Sequence, residues 1–130
     1  MTEAHAQIAG LPDTAGSFSH VTVGTGSRIV SIAGQVSVDA HGKLVGEGDP
    51  GAQARRCMEC IDAALRHVGA TPQDVVKVTV FVTDIRDRPA IVEARRAYFG
   101  THAPAASMVE VTALAIPGCV VEIEATAVLP

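Results

Sequence analysis

Aromatic side chains are scarce in this sequence: three Phe, one Tyr and no Trp among 130 residues. A core must therefore be assembled from Val, Ile, Leu and Ala, which pack well where helices cover a sheet. The same scarcity removes the row of rings on which single-stranded nucleic acid stacks. Basic residues are outnumbered, ten Lys and Arg against fourteen Asp and Glu, and the formal net charge is -4. No run of them could neutralise a line of phosphates. The pairs Arg55-Arg56 and Arg95-Arg96 fall in mixed helical segments and read as solvated or interface charge. A nucleic-acid partner is not expected. No apolar run reaches the length of a bilayer span, and no basic region leads into an apolar stretch near residue 1, so no membrane partner is expected either. Three cysteines do not make a disulfide scaffold. They fit a reducing compartment, and a cytoplasmic protein is expected.

What is present suffices for one domain. A chain of this length buries roughly two-thirds of its unfolded surface, and its hydrophobic residues (48%) far outnumber its charged ones (18%). Residues 1–130 are read as a single α+β domain with residues 1–15 as a flexible lead-in. His20 to Gly24 and Arg28 to Val36 read as strands, with Thr25-Gly26-Ser27 as a hairpin turn. Asp49-Pro50 starts a helix, because Asp caps free amides and Pro loses no hydrogen bond at the first position. Ala54, Cys57, Met58, Ile61, Leu65 and Val68 recur on one side of it, and Gly69 ends it. Thr71-Pro72-Gln73-Asp74 is a compact turn. Val75 to Thr83 is a covered strand, with Val76, Val78, Val80 and Val82 on one side and Val75, Lys77, Thr79 and Phe81 on the other. Asp87-Arg88-Pro89 opens a second helix to about Phe99, with Ile91, Ala94, Arg95 and Tyr98 along one stripe. Strands at about Ser107 to Ala113 and Val120 to Val128 follow. Both helices should cover one side of a single mixed sheet. The other side is expected to be apolar as well and to be covered by further copies of the chain.

Several residue groups are candidates for chemistry. Cys57-Met58-Glu59-Cys60 has the CxxC spacing, but it lies about two turns inside a helix rather than at the N-terminus where a thiol is activated, and Cys57 is on the apolar stripe. A zinc site would need further ligands that the sequence does not supply, so no metal is expected. The five histidines form no metal or triad spacing; His20, beside Ser19, is the one held open for a functional role. No phosphate loop is present, and no cofactor is expected. Glu122 and Glu124 share a face of the last strand. Acids within strands are costly unless paired, solvated or used; pairing with Arg28, Lys77 or a subunit neighbour and an acid–base or binding role for Glu122 both stand open.

Several separated stretches together resemble the YjgF/RidA (Rid) family. Gly16-Ser17-Phe18-Ser19-His20 is similar to its opening G-P-Y-S segment, and Ile32-Ala33-Gly34-Gln35 to its S-G-Q. Asp74 to Asp84 is similar to D-V-V-K-x-T-V-F-x-x-D. Pro104-Ala105-Ala106-Ser107-Met108-Val109-Glu110-Val111 resembles P-A-R-S-x-V-E-V, and Val121-Glu122-Ile123-Glu124-Ala125 matches V-E-I-E-A. The resemblance implies a chorismate-mutase-like fold, a homotrimer whose sheets form a barrel, and a small-molecule ligand in an intersubunit cleft. It implies hydrolysis of enamines or imines, with Glu122 as the water-handling catalytic residue. Ligand-binding positions would be Phe18, Ala33, Gly34, Val92, Ala106, Ser107 and Met108. Three of these depart from the family pattern, since Ala106 stands for its Arg, Phe18 for its Tyr and Val92 for its Asn. Each change removes polar capacity. The expectation is a more apolar pocket with poor 2-iminopropionate deamination, unless Arg28, Arg88 or Arg95 compensates. A non-catalytic metabolite-binding or interaction trimer is the alternative.

Overall fold

The computed structural model describes residues 1–130. Asp49 caps the first helix as its sequence predicts, its carboxylate accepting from the Ala52 amide at 3.0 Å, and α1 runs Pro50–His67. Its buried stripe is Ala54, Cys57, Met58, Ile61 and Leu65. Helix α2 runs Arg88–Phe99 with Ile91, Ala94, Arg95 and Phe99 buried. Both helices lie on one face of a four-stranded mixed sheet. In chain order its strands are β3 (Arg28–Val36), β4 (Val75–Val82), β5 (Ala105–Glu110) and β6 (Val121–Leu129), and in space they run β3-β6-β4-β5. β6 is antiparallel to both of its neighbours, whereas β4 and β5 are parallel and connected through α2. Under the helices Val78, Val80, Val82, Val121, Ile123, Ala125 and Ala127 are all buried. Fully burying one large aliphatic side chain stabilises by about 1.5–3 kcal/mol, so this layer carries the core.

Three expectations are corrected. The segment expected to be a flexible lead-in contains a strand, β1 (Thr2–His5), paired antiparallel with β2 (Val21–Gly24). Thr25-Gly26-Ser27 is accordingly no hairpin turn: β2 pairs with β1 in a separate two-stranded sheet, and β3 pairs with β6 instead. The trimeric barrel is not found. The sheet is open, with β3 and β5 as free edges about 14 Å apart at three strand spacings. Four strands are too few to close, since even small barrels use about eight.

The alternation expected along β4 also changes phase. Val75 pairs with Ala127 and Lys77 with Thr126, so Val76 is an extra residue bulged out of the ladder. Val75 and Val78 both face the helices and are fully buried, whereas Val76 is half-buried. A bulged residue leaves its backbone groups without ladder partners, and here the Val76 carbonyl accepts the Thr22 hydroxyl from β2. Gly24 lets β2 lie close, because a Cβ there would come within 2.8 Å of both Val76 and Val128.

The face away from the helices is mixed rather than apolar. Ile29 (77% exposed) and Val109 (43% exposed) share the surface with exposed Ser31, Lys77, Ser107 and Glu124. Buried Gln53 ties the loops beside the sheet. Its amide donates to Gly46 O (3.2 Å) and Gly118 O (3.0 Å), and its carbonyl accepts from the Val120 amide at 2.8 Å.

The CxxC cysteines are separated by the helix surface. Cys57 is fully buried and its thiol points at Val121 O at 3.7 Å, while Cys60 is half-exposed. Burial pushes the Cys57 thiol up to about 12, the neighbouring Cys60 and Cys119 adding to the shift. Under native conditions near neutral pH, a maleimide reagent is expected to modify Cys60 and spare Cys57, read by peptide mass mapping. Cys57→Ala should cost about 1–2 kcal/mol in denaturant unfolding through the void it leaves. Rapid labelling of Cys57 in the folded protein would overturn the core assignment.

Candidate functional site

Five residues singled out in the sequence converge on one pocket. Phe18, Val92, Ala106, Ser107 and Met108, joined by Arg88 and Arg95, line a cavity of about 220 Å³ at the β5 edge, beside the first turns of α2. β5 brings Ala106 and Met108 to the helix-side face, opposite Val78 and Val80, and turns Ser107 to the other face, where the Lys77 ammonium donates to its hydroxyl at 3.2 Å. Phe18 is delivered by the segment before β2. Ser19 forms a bridge with Ala105, its amide donating to Pro104 O at 3.2 Å, and this places its neighbour over the strand edge.

Beside Ala106, Phe18 and Val92 the pocket is lined by two of the three arginines held open as compensating charges, Arg88 and Arg95. Arg95 is only 5% exposed, and its one hydrogen bond runs from Nη2 to Ser17 O at 2.8 Å. None of the ion pairs in the structure involves it. Burial pulls its pKa down, and the positive charges of Arg88 and Arg96 pull the same way. A guanidinium stays protonated under such conditions, so the shift marks a charge that lacks compensation. Arg88 is exposed at the first helical position. The signal was present in the sequence, since Arg95 sits on the otherwise apolar stripe of α2. Arg28, the other compensating candidate, is the first residue of β3, at the opposite edge of the sheet.

Glu122, Ala33 and Gly34 form a second group. The β3–β6 register slips between Ile32 and Gln35, so Ala33-Gly34 is a bulge opposite the Glu122 end of β6. Gly34 is needed there: a Cβ would lie 2.7 Å from the Glu122 carboxyl carbon. The Ala33 carbonyl accepts from the Gln35 side-chain amide at 3.0 Å. The Glu122 carboxylate is half-buried and makes no ion pair and no side-chain hydrogen bond, so neither Arg28 nor Lys77 pairs with it.

Within one chain these groups do not meet. Glu122 pairs across with Phe81 on the face away from the helices, whereas Ala106 and Met108 lie on the helix side. Two strand spacings, about 10 Å, also separate β6 from β5. The His20 ring, the one histidine held open for a role, is bonded to Pro12 O at 2.7 Å. On β5 the Glu110 carboxylate accepts the Ile85 amide at 2.9 Å. No three His, Cys, Asp or Glu side chains gather where they could hold a metal ion. No helix is long and apolar enough to cross a membrane.

The class these features define is a small α+β domain with a cation-lined pocket of metabolite size at a sheet edge. A family model described as Endoribonuclease L-PSP matches residues 9–129. A Rid-family protein of unknown function from Yersinia pestis, YyfB, is 35% identical, with a TM-score of 0.89 over 98% of both chains. A 2-iminobutanoate/2-iminopropanoate deaminase from Salmonella typhimurium is 40% identical over 82% of this chain and 83% of its own length. The 3-aminoacrylate deaminase RutC of Acinetobacter baylyi is 33% identical over 77% and 79%. The chain belongs to the YjgF/RidA (Rid) family.

Gly34→Ala tests the contact at the bulge. The flexible Glu122 side chain can swing away from the added methyl, so the expected outcome is a displaced carboxylate with a melting temperature lowered by only a few degrees, about 1 kcal/mol. A crystal structure of the variant with Glu122 unmoved would overturn it.

Proposed function

We propose that this protein hydrolyses a small enamine, imine or related carbonyl metabolite in a cleft that forms where copies of the chain meet. The observation that carries the reading is the division of the site. Five of the expected ligand-binding residues share one pocket, while Glu122 and Gly34 share a separate surface on the opposite face. A ligand of metabolite size cannot touch both groups in one chain. In a homo-oligomer, the Glu122 surface of one copy faces the pocket of the next.

The chemistry asked of Glu122 is general-base catalysis. Its carboxylate, free of protein partners, accepts a proton from water as the water oxygen bonds to the imine carbon. The nitrogen takes up that proton to give a carbinolamine, and the remaining proton then passes from its hydroxyl to the nitrogen as the carbon–nitrogen bond breaks, releasing ammonia and leaving a carbonyl. Such proton transfer contributes typically 10²–10⁴-fold. The deaminase names of the Salmonella and Acinetobacter relatives support this reaction class. The ribonucleolytic name of the family model is not carried over, because the acidic balance and the absence of a basic stripe give no footing for a phosphate chain.

Ala106 favours a second reading, a metabolite-binding protein without turnover. The family's Arg would hold a substrate carboxylate from β5, and Ala106 offers only a methyl group there. Ammonia release from enzymatically generated 2-aminoacrylate separates the two readings. Slow wild-type release is expected, with a gain of at least tenfold in Ala106→Arg and a loss of about 10²-fold in Glu122→Gln. Fast wild-type turnover that is indifferent to Glu122→Gln would overturn the assignment of the base. Absence of turnover in every variant, with retained ligand binding, would favour the binding protein.

Light scattering at micromolar protein is expected to give a homo-oligomer. A stable species at the single-chain mass of 13.4 kDa would remove the cleft between copies.

A further inference from the structure

We infer that Arg95 and Arg88 form an anion clamp in the β5-edge pocket and hold the carboxylate of a small organic acid there. The inference deepens the proposed function by assigning the charged end of its ligand. Its own footing is the pocket of a single chain, and it does not depend on turnover.

Three observations converge. First, Arg95 is 95% buried and yet has no acidic partner, its one hydrogen bond going to the Ser17 carbonyl. Burying an unpaired charge is costly, and such groups are retained where something else supplies the counter-charge. Second, Arg88 projects from the same helix seven residues earlier, two turns away on the same side, and lines the same cavity. No acidic side chain lines this cavity, although acids outnumber bases in the chain as a whole. Third, the rest of the lining is Phe18, Val92, Ala106 and Met108, apolar surface suited to a short carbon chain. A volume of about 220 Å³ accommodates an acid of a few carbons with its hydration, not a nucleotide or a sugar phosphate.

A carboxylate is favoured over a phosphate by the donor set. The planar fork of a guanidinium matches the two oxygens of a carboxylate bidentately, and no glycine lines the pocket to form a phosphate-cradling turn. The clamp approaches from α2 rather than from β5 at Ala106. The acid is therefore held in a different direction from one gripped at residue 106, and its reacting carbon is displaced accordingly. A pocket arranged in this way would bind acids and yet turn over 2-iminopropionate poorly.

The test is direct calorimetric titration with 2-oxobutanoate, a stable 2-keto acid, against its neutral amide and against inorganic phosphate. Wild-type protein is expected to bind the acid at least tenfold more tightly than the amide and than phosphate, with affinity falling as salt rises. Arg88→Gln, at an exposed position that tolerates change, should weaken the acid at least tenfold and leave the amide unaffected. Arg95→Lys, which keeps the charge and loses the fork, should do the same. Equal binding of acid and amide, acid binding unmoved by Arg88→Gln, or tighter binding of phosphate would each overturn the carboxylate clamp. Charge-selective binding without ammonia release from any enamine would leave the clamp standing and sink the hydrolase. Turnover without charge-selective binding would do the reverse.

Discussion

The two helices can lie on the sheet because its inner face is built almost wholly from small and β-branched side chains. Val78, Val80 and Val82 of β4 and Val121, Ile123, Ala125 and Ala127 of β6 leave no bulky ring to hold α1 away. Ala54, Cys57 and Ile61 descend directly onto them. Valine and isoleucine are stiff at χ1, so the surface they present is well defined without aromatic anchors. The seating of α2 depends on this layer too. Ile91, Ala94 and Phe99 join the same core, and their packing sets the height at which Arg88, Val92 and Arg95 face Phe18 across the β5 edge.

What is local in this fold is legible in the sequence. The Asp49 cap, the stripe of α1, the Asp87-Arg88-Pro89 start and the valine-rich β4 all follow from spacing and capping chemistry within a few residues. The β2–β3 connection shows where such reading stops. Thr25-Gly26-Ser27 has the composition of a hairpin turn, yet β3 finds its partner in β6, nearly a hundred residues further on, and β2 finds its partner in β1. Turn chemistry constrains the turn and says nothing about which ladder is more favourable. The Val76 bulge is equally hidden, because an extra residue in an apolar run leaves no mark in the pattern.

The site was legible in a different way. The resemblance of short motifs brought Phe18, Val92, Ala106, Ser107 and Met108 to one pocket, although they come from three separate parts of the chain. Judging polarity from those positions alone was misleading. Substituting Ala106, Phe18 and Val92 for polar residues suggests an apolar cavity, but polarity is a property of everything that lines the space. Arg95 enters it from the stripe of α2 that packs against the core. A charge among apolar helix positions is the physical sign of such a group, and it is visible without a structure.

The bulged Val76 carries a consequence for how this chain tolerates changes in length. Val75 and Lys77 lie on the correct faces with Val76 extruded between them, so removing one codon there would restore strict alternation and leave the buried valines in place. What would be lost is the carbonyl that accepts Thr22 and the side chain beside Gly24, the attachments of the β1–β2 sheet. A single-residue deletion elsewhere in β4 would instead turn Lys77 or Thr79 into the core. Insertions and deletions in this strand are therefore sharply unequal in effect, and the one position that can be lost is the one that joins the small sheet to the large.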